Sequence, residues 1–290
     1  MNISGATIIR NGVKLGFPFV EAIRSALPLC SEFIVAVGDS DDDTRARVEQ
    51  IGDPRIKIID TNWDMSKRTG GLVLSEQTNI ALSHCTGDWI CYVQSDEAFH
   101  ENDYETIRAS LSRMENNVKI DGLAFDYYHF YGSYHTVQAG RNWYKQEVRI
   151  IRNHRGIVSH GDAQGFRRAG LKLKAMPCGA HVYHYGWARP PQTMLEKIKS
   201  FHKLWHDDSW IEQNCGGKEL FEFYNDLGNL VRFNGTHPSV MLPLVNNDSD
   251  AFINSCRERY MKGRSIRRLL KDMLRRLPVG EHRNFKRVKL

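Results

Sequence analysis

One short stretch constrains this chain more than any other. Trp89, Ile90, Cys91, Tyr92 and Val93 form a β-favouring apolar run that leads directly into Gln94, Ser95, Asp96 and Glu97. An apolar run of this length reads as a central strand buried on both faces. Acids at its carboxyl end stand where open α/β sheets bind ligands, just beyond the strand ends. Two readings compete for that carboxylate pair. It caps the next segment, after Phe99, or it belongs to a metal and phosphate site. On this strand, alternation puts Gln94 and Asp96 on one face and Ser95 and Glu97 on the other.

The residues before this stretch alternate between two periodicities. Ser4 to Arg10 is a short β run closed by a turn at Arg10, Asn11 and Gly12. Phe17 to Leu27 carries a helical apolar face, with Pro18 tolerated in the first turn. Phe33 to Val37 is a second buried strand, followed by an acidic turn from Asp39 to Thr44, where Asp43 or Thr44 is the expected helix cap. Thr44 to Ile51 reads as helix, Arg55 to Ile59 as strand, and Leu72 to His84 as helix. This β-α-β-α-β-α-β order implies a parallel, doubly wound sheet.

Composition supports an ordinary folded body. The apolar fraction of 41% is enough for a core, and no apolar run approaches the roughly 20 residues of a membrane span. The first residues lack the basic region and cleavage site of a signal peptide, so a cytoplasmic location is expected. The six cysteines show no metal-ligand spacing and read as reduced, buried thiols. Residues 257–290 hold 13 Lys and Arg against 3 Asp and Glu, while the whole chain carries +6. The basic balance therefore belongs to the tail and not to the body.

The acidic turn at 39–44, the segment Ser75 to Leu82 and the group Gln94 to Glu97 together resemble family 2 glycosyltransferases of the GT-A fold. In that family the last group is an Asp-x-Asp motif; here its first position is Gln94, which leaves Asp96 as the main metal ligand. The resemblance covers roughly residues 3 to 190. It implies a Rossmann-like doubly wound mixed α/β sheet over residues 1–190, with a nucleotide-sugar half to about 98 and an acceptor half from about 99. Residues 191–290 would form a helical extension. It implies an inverting transfer of a sugar from a nucleotide-sugar to a hydroxyl acceptor, assisted by Mg²⁺ or Mn²⁺. The ion would neutralise the leaving diphosphate.

Further candidates follow from position. Asp39 can close the second strand against a ribose hydroxyl or base edge. Arg10, Lys67 and Arg68 are candidates for the donor's phosphates, although a solvated basic loop reads equally well for the last two. Asp162 stands between Gly161 and Gly165, and two glycines around an acid let backbone approach a ligand closely. In the family an acid at this place takes the proton of the acceptor hydroxyl, and Asp162 matches it, with Glu147 as the alternative. Glu147 and Arg149 share one face of an alternating strand and suggest an ion pair. His184 matches a late family histidine near metal and diphosphate, against the plainer reading of a packed histidine. His181, three residues earlier, should face the other way. The aromatic run from Phe125 to Tyr131, with Trp143 and Tyr144, is core or an acceptor platform.

Pro190 and Pro191 mark a boundary, and Met194, Leu195, Ile198, Phe201, Leu204 and Trp205 then fall at helical spacing. His206, Asp207 and Asp208 read as a solvated helix end. In the tail, Ile266, Leu269, Leu270, Met273, Leu274 and Leu277 make a stripe among arginines, with Ser265 as cap and Pro278 as stop. Such a helix suits an anionic membrane surface at the inner face, or docks on the body. The acceptor would then be a glycan or lipid-linked glycan precursor, and no nucleic acid is expected as a partner. Two rivals stand beside this reading. A nucleotidyltransferase would carry a Gly-rich basic loop after the first strand, of which Lys14 and Gly16 are a thin version. A non-enzymatic membrane-surface or nucleic-acid-binding protein would account for the tail but leaves Asp96 and Asp162 without a role.

Overall fold

The computed structural model describes residues 1–67, 69–223, 227–263, 265, 270, 272–275 and 283–288. Arg68 and the rest of the expected tail helix, Arg264, Ile266 to Leu269, Lys271 and Arg276 to Pro278, lie outside the described residues.

The first half alternates as expected: β1 (Ile3–Ile9), α1 (Phe19–Ala26), β2 (Glu32–Gly38), α2 (Thr44–Glu49), β3 (Ile56–Thr61), α3 (Leu72–Ser83), β4 (Trp89–Tyr92) and the short β5 (Glu97–Phe99). Helix α4 (Tyr104–Met114) leads to β6 (Gly122–Tyr131), β7 (Thr136–Gln138), β8 (Gln146–Arg152), β9 (Ile157–His160), β10 (Gly165–Arg168), β11 (Leu171–Lys172) and the long β12 (Lys174–Trp187). Beyond Pro190 come α5 (Pro191–His202), α6 (Asp208–Cys215), β13 (Leu230–Arg232), α7 (Leu242–Asn246), α8 (Ala251–Lys262) and β14 (Lys286–Arg287).

The main sheet runs β13-β7-β6-β8-β4-β1-β2-β3, and β12 joins it through β6, β5 and β14. β4, β1, β2 and β3 are parallel, whereas β8 pairs antiparallel with both β4 and β6. The sheet is thus mixed and doubly wound. Strand alternation explains its two covered faces. Phe33, Val35, Val37, Trp89 and Cys91 pack with Phe19, Ile23, Ile107 and Leu111 from α1 and α4. Ile34, Ala36, Ile90 and Tyr92 face the other way, onto Ala81 and Leu82 of α3. Each large apolar side chain fully removed from water here contributes roughly 1.5–3 kcal/mol before conformational entropy is counted. All six cysteines are buried free thiols.

Three local expectations are corrected. The strand does not continue through the acids: β4 ends at Tyr92, and Glu97 N–H bonds the Gln94 carbonyl at 3.0 Å to close a tight turn. A turn lacks the period of two, so Gln94, Ser95 and Asp96 all reach one cavity while Glu97 points beneath it. The helix after the acidic turn is not capped by the side chain of Asp43; Thr44 N–H bonds Asp42 Oδ1 at 3.0 Å, and Thr44 Oγ1 accepts the Gly12 N–H. Glu147 and Arg149 do share a face but are not paired. Arg149 takes Glu97, and Glu147 accepts from Gln164 and Asn284.

The residues after 190 pack onto the body. β13 pairs with β7 and β14 with β12, Phe285 is buried in the core beside α3, and Tyr260 Oη donates to Asp272 at 2.8 Å. Asp207 caps α6 by accepting the Trp210 N–H, so the acids at 207 and 208 open a helix. Among the described residues no helix is long and apolar enough to cross a membrane.

Candidate active site

A cavity of about 260 Å³ opens at the carboxyl ends of β1 and β4, and Arg10, Gln94, Asp96, Asp162 and His184 all line it. These five candidates, scattered over 175 positions of sequence, meet where the ends of β1 and β4, the long β12 and the β9–β10 turn of a separate three-stranded sheet come together. Phe17, Trp63, Tyr144, Trp187 and Phe201 give the cavity aromatic walls.

The turn that carries Gln94 and Asp96 is held from below. Glu97 and Arg149, both fully buried, form a two-pronged pair with Nε–Oε2 and Nη2–Oε1 each at 2.8 Å. Tyr127 Oη donates to Glu97 at 2.8 Å and the Gln94 N–H at 3.1 Å, so the carboxylate accepts four bonds. The Ser95 hydroxyl donates to the Ile8 carbonyl, and Tyr185 N–H bonds the Asp96 carbonyl at 2.7 Å. Gln94 is engaged at both ends of its amide, Nε2 donating to the Ala163 carbonyl and Oε1 accepting from Arg149, each at 3.3 Å.

Asp96 is buried among cations. Its Oδ2 lies 3.1 Å from Lys197 Nζ, and its Oδ1 lies 3.8 Å from His184 Nε2. Burial pushes its pKa up, but Lys197, His184 and Arg189 outweigh that and hold the carboxyl well below its ordinary range. Burial pushes the Lys197 ammonium down to about 8, with Arg189 acting in the same direction and Asp96 opposing, so it remains charged at neutral pH. Lys197 also donates to the Gly186 carbonyl at 2.7 Å and stands 5.1 Å over the Phe17 ring.

The proton positions of the two histidines follow from their partners. His129 Nε2 lies 2.7 Å from the Tyr144 carbonyl, which only accepts, so this nitrogen carries the proton. Burial lowers the His129 pKa far below its usual value, leaving Nδ1 as an acceptor. His184 Nδ1, 2.9 Å away, must therefore donate to it. Burial also lowers His184, against the opposing pull of Asp96 and Glu97, and its Nε2 faces Asp96 Oδ1 at 3.8 Å. Gly186 keeps that space open, because a Cβ there would come within 2.6 Å of His184 Nε2 and 2.7 Å of Asp96 Oδ2.

This donor set meets the test for a divalent cation in part. One carboxylate oxygen and one imidazole nitrogen face the same gap, and a hard ion of this kind completes its shell with phosphate oxygens and water. Among the described residues no group of three or more His, Cys, Asp or Glu side chains converges to hold an ion alone.

Asp162 reaches the cavity from the turn between β9 and β10. Gly161 and Ala163 both hold left-handed backbone, with φ of 64° and 60°, and Ala163 is buried while doing so. A non-glycine residue in that region is strained, and the strain is held by the Ala163–Gln94 and Gln164–Arg149 bonds. Glu147 lies behind Gln164, its Oε1 accepting at 2.8 Å from Gln164 and 3.0 Å from Asn284, its Oε2 buried without a partner among the described residues. Burial pushes its pKa up to about 7.

Asp39 lines a neighbouring cavity of about 350 Å³ with Gly38, Asp42, Asp60 and Asn62. Its 3.1 Å pair with Arg10 forms the wall between the two spaces. Lys67 does not line either one; it pairs with Glu76 at 2.9 Å on the surface. His181 turns away from His184 and pairs with Asp103. Lys197, Arg189 and Arg149 were not singled out from the sequence as site residues. Lys197 had a legible signal, since it sits three residues after Met194 and four before Phe201, on the apolar side of α5.

No curated protein sequence matches the chain. Among solved structures, glucosyl-3-phosphoglycerate synthase from Mycobacterium tuberculosis, in complex with Mn²⁺, uridine diphosphate and phosphoglyceric acid, is 18% identical. The match covers 43% of each chain with a TM-score of 0.32. Residues 1–349 of TarS from S. aureus are 14% identical over 73% of this chain and 69% of that one, with a TM-score of 0.39. Mannosyl-3-phosphoglycerate synthase from Rubrobacter xylanophilus is 19% identical over 44% and 41%, with a TM-score of 0.32. The matches thus span less than half the length of the two phosphoglycerate synthases. The profile described as "Glycosyl transferase family 2" matches residues 19–172, more than half of the sequence and all of the segment from α1 to β11. The chain belongs to glycosyl transferase family 2.

Proposed function

We propose that the protein moves a sugar from a nucleotide-sugar to a hydroxyl acceptor, with inversion at the anomeric carbon. The observation that carries this reading is the convergence of Arg10, Gln94, Asp96, Asp162 and His184 on one cavity at the strand ends. The cavity beside Asp39 suits the nucleoside, with the carboxylate available to a ribose hydroxyl. The diphosphate then falls between Asp96, His184 and Lys197. A divalent cation, Mg²⁺ or Mn²⁺, bound by Asp96 and His184 Nε2 together with the diphosphate, would add positive charge against the leaving group.

In the transfer step the acceptor oxygen forms a bond to the anomeric carbon as the bond from that carbon to the phosphate oxygen breaks. Asp162 takes the acceptor's hydroxyl proton, and the nucleoside diphosphate leaves with the electron pair. The aromatic walls, Trp63 and Phe201 among them, offer faces on which sugar rings can pack.

The acceptor we favour is a glycan or lipid-linked glycan precursor, met at an anionic membrane surface through the tail. Leu270, Met273 and Leu274 are exposed apolar side chains in the basic region 257–290. Cosedimentation with phosphatidylserine vesicles, but not with phosphatidylcholine vesicles, is the expected result; equal or absent binding removes the membrane part.

The donor reading is tested by thermal shift with the common nucleoside diphosphates, each with and without Mn²⁺. One base should raise the melting temperature, and Asp96→Ala should reduce the shift. If no nucleoside diphosphate binds in either buffer, the reading fails.

A further inference from the structure

We propose that Lys197 is a donor-binding residue whose ammonium takes the diphosphate directly, so that donor binding does not require the divalent cation. The inference rests on the donor reading above and goes beyond it, because it assigns the phosphate-neutralising charge to the chain itself.

Three observations point the same way. First, the motif has lost an acid. Gln94 stands at its first position and its amide is already tied to Ala163 and Arg149, so it brings no charge to an ion. Second, Lys197 lines the cavity with its Nζ 3.1 Å from Asp96 Oδ2, on the carboxylate an ion would need. The ammonium is pinned by the Gly186 carbonyl at 2.7 Å and the Phe17 ring at 5.1 Å. A cation fixed in advance beside developing negative charge needs no reorganisation when that charge appears. Third, Arg189 lies behind it, 5% exposed, one amino group donating to the Leu15 carbonyl while Nε and Nη2 have no hydrogen-bond partner among the described residues. Asp96 is therefore outnumbered by Lys197 and Arg189, and the unbalanced positive charge has the sign a diphosphate requires.

The role also explains why residues beyond 190 complete the site. Helix α5 carries Lys197, Ile198 and Phe201 into the cavity, and all three lie outside the segment that the family profile matches. A charge supplied from there can stand in for one missing from the motif.

Isothermal titration calorimetry on the full chain tests this with UDP, GDP, ADP, CDP and dTDP and the corresponding monophosphates, in EDTA and in Mn²⁺. The wild type should bind one diphosphate in EDTA. Lys197→Met should weaken that binding about 10- to 100-fold, as expected for a lost charge-assisted bond, and leave the monophosphate affinity unchanged. Lys197→Arg should keep most of it. The monophosphate control separates phosphate binding from a merely structural role. If Lys197→Met proves unfolded by circular dichroism, the double variant Asp96→Asn with Lys197→Met, neutral at both positions, is compared with Asp96→Asn alone. Binding by the wild type only in Mn²⁺, or equal binding by Lys197→Met in EDTA, overturns the inference and leaves the donor site standing. No binding of any diphosphate in either buffer overturns the donor reading itself.

Discussion

Replacing Arg149 by Met should destabilise the protein by about 3–5 kcal/mol, the cost of stranding one partner of a buried ion pair. The structure supports that size. Glu97 and Arg149 are both fully buried and joined at two 2.8 Å contacts. At an effective dielectric of about 20, unit charges roughly 4 Å apart attract by about 4 kcal/mol. In the variant Glu97 keeps only Tyr127 Oη and the Gln94 N–H, while the carbonyls of Val148 and Gln164 lose their guanidinium donor. For a chain of 290 residues the loss corresponds to roughly 5–8 °C in melting temperature. Urea unfolding of the wild type, Arg149→Met, Glu97→Gln and the double variant measures it. Each single variant should cost several kcal/mol, and the double should cost less than their sum by about 2 kcal/mol or more. Additive singles, with coupling under about 0.5 kcal/mol, would refute the claim that this pair supports the Gln94–Glu97 turn.

Other predictions concern the site and its margins. Burial raises Glu147 from 4.5 in the free chain to about 7, so the folded state binds the extra proton between those values and stability falls as pH rises through that window. Glu147→Gln should remove this dependence, leaving the melting temperature near wild type at pH 4.5 and higher than wild type at pH 8; an unchanged pH profile contradicts the assignment. Gly186→Ala puts a Cβ into the gap between His184 and Asp96 and should abolish nucleoside diphosphate binding with the fold retained, as calorimetry and circular dichroism will report. Asp162→Asn should slow release of nucleoside diphosphate from the nucleotide-sugar by about 10²–10⁴-fold without weakening donor binding. A variant that loses donor affinity instead would assign Asp162 to binding.

The sequence carried the sheet because the sheet depends on local patterns. Apolar runs such as Phe33 to Val37 and the alternation with helices make the parallel strands legible before any long-range contact is known, whereas the antiparallel insertion of β8 between β4 and β6 has no local signal. The cavity was legible to the same extent, since strand ends in such a sheet collect at one edge, and Arg10, Gln94, Asp96, Asp162 and His184 met there. What escaped depends on turns and on approach from far away. The acids after Tyr92 lie on a turn, so a strand period misplaced Ser95 on the far side. Glu147 and Arg149 look like a pair along the strand, yet Glu97 reaches Arg149 across 52 positions and wins. Lys197 sits 101 positions from Asp96, and only the packing of α5 over the cavity brings the two together.

The most direct test of the whole account is a crystal structure with a nucleotide-sugar, or its nucleoside diphosphate, bound. The nucleoside should lie beside Asp39, the diphosphate between Asp96, His184 and Lys197, and the sugar's anomeric carbon open to an acceptor on the side of Asp162. A nucleotide bound elsewhere, or a sugar whose open face turns away from Asp162, would contradict it.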